Sequence, residues 1–406
     1  MFLSKLKKKK KIILTITLIW LIFSCVFFWR YQEQITRKLT TFKHSIISIN
    51  HTPEHIDIII HKKRLKKINS LRKRALEHND FTNAKKNVKG LLIKNGDSIR
   101  VKLKLKGDQF DHYNSSRFSL RVTTLKKESI WGTSSIQHPK TRQYINEWIF
   151  HELLKKSKLP YLKYEFITVS INEGKSETCA CEQYFSDSQI FKNWGGKAGP
   201  ILGFKDHLFW KEYPDSGLTK QYDTQAYQKA KIKVFNSKNI QIEKNLFSKA
   251  EALLYDYQHN VIPADSLFDM KKIGRFYALM DLLGGKHALR WINVRYYFNP
   301  ETNLFEPLGY DSNNGTHTKM IGQENYLNSA LHQSILDNPE FLTNYHKALH
   351  KIKDSSFLDA FFSDIESELN YNLKTIYISD PNYTFNKMSY YTNQKTITQY
   401  LQHYSE

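Results

Sequence analysis

The stretch Asp281–Thr316 constrains this 406-residue chain more than any other: D-L-L-G-G-K-H-A-L-R-W-I-N-V-R-Y-Y-F-N-P-E-T-N-L-F-E-P-L-G-Y-D-S-N-N-G-T. A helix enters it, with Asp265 or Ser266 as candidate caps. Leu267, Ile273, Phe276, Met280 and Leu283 form its apolar side, and Gly284-Gly285 ends it. Two short apolar runs follow, Asn293–Phe298 and Leu304–Leu308. The turn-forming cluster Asn299-Pro300-Glu301-Thr302-Asn303 separates them, so a β-hairpin is expected. Antiparallel pairing brings Asn293, which opens the first strand, to the same end as Asp311, just past the second. An amide oxygen and a carboxylate at one hairpin mouth suit a hard cation, Mg²⁺ or Mn²⁺.

The chain begins with six lysines between positions 5 and 11 (cytoplasmic basic tail, 1–11). Ile12–Trp29 is an uncharged run just long enough for a transmembrane helix, with no small-residue cleavage site after it. The positive-inside rule keeps the lysines cytoplasmic. A single-pass anchor in the inner or plasma membrane is therefore expected, with the main domain periplasmic or extracellular. Residues 30–54 are polar and read as a stalk.

From residue 55 to 185 the pattern is β-rich. Expected strands are His55–Ile60, Asn87–Ile93, Asp97–Leu105, Arg117–Val122 and Tyr164–Ile171, with helices at Lys62–His78 and Thr141–Lys156. Asn95-Gly96 marks a hairpin turn. In Asp97–Leu105, Ile99, Val101, Leu103 and Leu105 alternate with Arg100, Lys102 and Lys104. In the next strand Phe118, Leu120 and Val122 alternate with Arg117 and Arg121. An antiparallel sheet with one apolar and one basic face follows. Cys179 and Cys181 lack the spacing of a zinc knuckle and read as half-buried strand residues, with a strained bridge as the alternative.

From 186 to 406 helices dominate: Ile242–Gln258, then roughly 322–336, 339–355 and 356–376, and a tail at 386–402. Residues 212–238 are polar and read as an insertion. The Gly-rich 195–203 segment lacks phosphate-loop spacing.

The order G-G-x-H-A-x-x-W-x-N-x-R-x-Y-x-N-P-x-T-x-x-x-E-P-x-x-Y-D resembles the spore-coat-protein-H (CotH) kinase-like family. So does L-K-G-D followed by R-F-S-L-R near residue 106. The resemblance covers roughly residues 55–400. It implies an α+β, atypical protein-kinase-like two-lobe fold, with a β-rich N-lobe and a helical C-lobe, and an ATP-dependent phosphotransferase using Mg²⁺ or Mn²⁺. Asn293 and Asp311 match the family's metal-holding positions. His287, or Lys286, stands where its catalytic Asp is expected, so this chain falls in a divergent subgroup. A neutral imidazole can still accept a hydroxyl proton. Lys106, Arg117 and Arg121 become the phosphate-contact candidates. Glu147 becomes the helix carboxylate that pairs with the phosphate-binding base. Glu182 becomes an acceptor for adenine or a partner for a base.

Net charge is +22, which favours anionic partners. No helix-turn-helix, zinc or RNA motif points to nucleic acid. The expected function is a membrane-anchored kinase acting on protein or polysaccharide hydroxyls at the cell envelope. The alternative is a pseudokinase that binds envelope polymer without turnover.

Overall fold

The computed structural model describes residues 15–17, 20, 31–81, 83–125, 132–187, 189–210, 220–237, 242–317, 319–321 and 330–404. Strands β1 (His55–Ile59), β2 (Val88–Lys94), β3 (Asp97–Leu105), β4 (Leu120–Thr124), β5 (Thr133–Gln137), β6 (Tyr164–Ile171) and β7 (Glu177–Gln183) close a barrel in the order β1-β2-β3-β4-β5-β7-β6. Asn95 and Gly96 both take positive φ and turn β2 into β3, as the Asn-Gly pair requires. The alternation read from the sequence becomes inside and outside. Ile56, Ile58, Leu92, Val101, Leu103 and Val122 fill the interior with no exposed surface, while Arg100 and Lys102 face water. Helix α1 (Lys62–His78) joins the same core through Ile68, Leu71 and Ala75.

This corrects the expected kinase-like two-lobe fold. The strand-rich part is not an open lobe sheet, because β1 pairs in parallel with β6, Ile56 opposite Val169, and seals the barrel. Closure removes both sheet edges. Local alternation is the same for an open and a closed sheet, so this pairing over more than a hundred residues left no trace in the pattern. The expected strand at Arg117–Val122 is also displaced, and runs Leu120–Thr124.

A second, four-stranded sheet has the order β11-β10-β8-β9, formed by β8 (Ile201–Phe204), β9 (Ile232–Val234), β10 (Tyr296–Asn299) and β11 (Leu304–Pro307). The segment read as a polar insertion thus supplies β9, a strand too short to show a pattern. Around this sheet pack α2 (Ile145–Lys156), α3 (Lys244–Gln258), α4 (Met270–Leu283), α5 (Pro339–Ile352), α6 (Ser355–Asp364), α7 (Glu366–Ser379) and α8 (Met388–Tyr404). Asp269, rather than Asp265 or Ser266, caps α4 by accepting from the Lys272 N–H at 3.0 Å. Gly274 lets α4 approach α5 closely: a Cβ there would lie 2.8 Å from the Tyr345 backbone nitrogen.

The expected membrane anchor is also corrected. Among the described residues no helix is long and apolar enough to cross a membrane, so neither the single-pass topology nor the envelope location is carried further. Most of Ile12–Trp29 lies outside the described residues. Residues 31–48, expected as an unpatterned stalk, are helical. His44 there stacks on Tyr377 at 3.7 Å. Cys179 and Cys181 are fully buried free thiols in β7 rather than half-buried or bridged.

Candidate functional site

Between the barrel and the hairpin of the second sheet lies a cavity of about 400 Å³. Nine lysines and arginines line it against four aspartates, so it presents net positive charge. β3 delivers the first cation. Its alternation should point Lys106 outward, yet Lys106 is buried where the strand ends. Lys106 Nζ donates to Gln137 Oε1 at 2.7 Å and to Glu182 Oε2 at 2.8 Å. Burial pulls the Lys106 pKa down to about 8, against the opposing pull of Glu182. Burial works to raise Glu182, but Lys106 and Arg142 hold it below its usual value.

Arg142 comes from a one-turn helix, Pro139–Arg142, in which Pro occupies the start and His138 caps. Gln143 and Tyr144 then take positive φ and swing the chain into α2. Arg142 Nη1 pairs with Asp311 Oδ1 at 3.0 Å, and its Nη2 donates to the Tyr310 hydroxyl at 3.3 Å. Burial works to raise Asp311, yet Arg142 and His287 hold it well below the usual carboxylate range. Asp311 itself sits at φ +54°, a region Asp tolerates better than most residues.

Glu147 anchors that loop. It does not touch Lys106, contrary to the sequence expectation. Its Oε2 accepts from the Ser312 N–H at 3.1 Å and the Ser312 hydroxyl at 2.8 Å, so Glu182 takes the role expected of Glu147. Burial, then proximity to Asp311, pushes Glu147 from 4.5 up to about 7. A carboxyl whose folded pKa exceeds its unfolded value binds a proton on folding. That contribution is complete below about pH 4.5 and disappears as pH rises through about 7. Urea midpoints are therefore expected to fall between about pH 5 and pH 8, and to fall less in Glu147→Gln.

His287 follows the α4 terminus, where Gly284 at φ +66° reverses the chain into the turn Lys286–Leu289. Its Nδ1 lies 2.9 Å from the Asp311 carbonyl oxygen, an acceptor, so Nδ1 carries the proton. The neutral ring then keeps its lone pair on Nε2. Asn293 Nδ2 donates to the His287 carbonyl oxygen at 3.0 Å and lies against the ring, 3.0 Å from Nδ1 and 3.4 Å from Nε2. Burial works to lower His287, but Asp311 overrides it and raises the pKa. Asn293, His287 and Asp311 thus form one connected group lining the cavity.

Arg121 lies in the same cavity, its guanidinium 3.3 Å from the centre of the Tyr184 ring. Arg117 does not. Its Nη2 donates to Asp380 Oδ1 at 2.9 Å and ties the barrel to the end of α7. Sequence reasoning missed Arg142, Lys233 and Gln137, and placed Arg290 and Arg295 near Asp311 as residues to pair with it or to bind phosphate. The signal for Arg142 was a basic cluster just before a helix, H-P-K-T-R, which is also common on plain surfaces.

The donor set does not form a resident divalent-cation site. Among the described residues no three His, Cys, Asp or Glu side chains converge to hold a metal. Asp311 is already neutralised by Arg142.

No family model and no curated protein matches the chain. Function therefore rests on the site itself, whose most distinctive feature is its buried arginines. Arg121, Arg142 and Arg295 are each more than nine-tenths buried, and each has an Nε with no hydrogen-bonding partner. Those Nε atoms are themselves enclosed, but all three arginines line the cavity, and its excess of cations suits an anion.

Proposed function

We propose that the cleft binds a phosphate ester and transfers its phosphoryl group to a hydroxyl of a protein or glycan, in keeping with the likeness to the CotH-like family. The cluster of three buried arginines lining the cavity, Arg121, Arg142 and Arg295, carries this reading, because guanidinium groups match phosphate oxygens in geometry and charge. ATP is the expected donor. The acceptor oxygen bonds to the terminal phosphorus as the bond to the leaving diphosphate breaks, and the acceptor proton passes to His287 Nε2. Arg121, Arg142 and Arg295 neutralise the phosphate oxygens, as fixed cations placed before the reaction begins. Asp311 keeps His287 in the tautomer that leaves Nε2 available, and Asn293 fixes the ring.

One observation favours a second reading. The Arg142–Asp311 pair at 3.0 Å caps the carboxylate that family members use for metal, which suits a module that holds the anion without turnover. Calorimetric titration with ATP and with inorganic triphosphate tests the shared part of both readings. Wild type is expected to bind both, and the double variant Arg121→Met/Arg295→Met about 100-fold more weakly. Equal affinity in the two proteins would remove the phosphate assignment. Transfer of labelled phosphate to a general acceptor separates enzyme from binding module.

A further inference from the structure

A second cavity, of about 390 Å³, opens far from the cleft, where α2 ends against α4 and α5. Its floor is apolar, formed by Ala278, Leu279, Ala348, Ile352 and Phe357. Its rim carries six cations and no carboxylate: Lys156, Lys158, Lys271, Arg275, Lys347 and Lys351. Two of the six are engaged. Lys156 pairs with Asp364, and Arg275 donates to the Ser157 carbonyl oxygen at 2.7 Å. For Lys158, Lys271, Lys347 and Lys351 no ion pair is found among the described residues, and all four are exposed.

Lys158 adds a separate observation. It takes φ +55° just after the end of α2, where its N–H bonds the Lys155 carbonyl oxygen and Leu159 N–H bonds that of Leu154. Glycine fits this left-handed helix terminus without strain, whereas lysine does not. The strained position therefore holds a cation over the groove.

We infer that this groove docks an acidic peptide segment of a partner protein, with an apolar side chain seated on the floor and flanking carboxylates on the lysine rim. Charge complementarity sets the sign of the partner. Shape selects a peptide over a membrane: the floor lies below a rim built from three separate elements, which admits a protruding side chain but not a flat lipid surface. The groove is distinct from the cleft. Lys156 lies nine positions along α2 from Glu147, roughly 14 Å of helix. The inference does not depend on the chemistry assigned to the cleft.

Fluorescence anisotropy on the full chain tests it, using a short labelled peptide of alternating Glu and Leu. Comparison probes replace Leu by Ser, or Glu by Gln, and vesicles of phosphatidylcholine with phosphatidylglycerol form a further arm. The Glu/Leu peptide is expected to bind wild type, to weaken with added salt, and to bind Lys347→Glu/Lys351→Glu about tenfold more weakly. Lys158→Gly is expected to raise the melting temperature while weakening the peptide, an outcome that misfolding cannot mimic. Equal binding by wild type and the variants would overturn the proposal. So would equal binding of the Glu/Ser peptide, or binding to the vesicles alone.

Discussion

Lys106→Met is expected to destabilise the protein by about 3–5 kcal/mol. Lys106 faces Glu182, which has no exposed surface, at 2.8 Å. Removing the ammonium leaves the carboxylate buried beside Arg142 Nε at 3.9 Å, too far to replace the lost hydrogen bond. The double variant Lys106→Met/Glu182→Gln is expected to recover much of the loss, because a neutral amide there costs less than an unpaired charge. Urea unfolding of both variants gives the comparison. If the single variant costs no more than the double, the pair is not the electrostatic link between β3 and β7. Lys106 would then be held only by Gln137 and packing.

His287→Ala is expected to lower phosphoryl transfer by about 10²–10⁴-fold, the usual worth of a positioned proton acceptor, with donor affinity nearly unchanged. A base works in its neutral form, so activity is expected to fall as pH drops through the His287 pKa. Asp311 raises that pKa above 6.5. Removing the carboxylate in Asp311→Asn should therefore move the acidic limb to lower pH, alongside a loss of rate. A pH–rate profile whose acidic limb stays in place in Asp311→Asn would show that another group sets it. Transfer undiminished in His287→Ala would remove the base assignment, and absent transfer in wild type would favour the binding module.

Much of the fold was legible where local chemistry is strong. The Asn95-Gly96 turn, the alternation of β3 and the glycine end of α4 are each set by residues within a few positions of one another. The same holds for the hairpin after His287, although its first strand starts at Tyr296 and leaves Asn293 in the preceding turn rather than opening the strand. Glu147 shows where such reasoning stops. Its place in a helix was readable, but its partner was not. Whether it met Lys106 or Ser312 depended on how the hairpin loop docks on α2, and nothing in either segment encodes that alone.

The sequence by itself determined which segments alternate, where turns fall and that the protein carries excess positive charge, because these follow from neighbouring side chains. Only the tertiary structure decided that β1 and β6 seal a barrel. It alone brought Arg121, Arg142 and Arg295 from three separate segments to one cavity. The physical reason is common to both. Strand closure and buried charge depend on groups far apart in the chain, and their energies are decided by the burial that only the assembled fold creates.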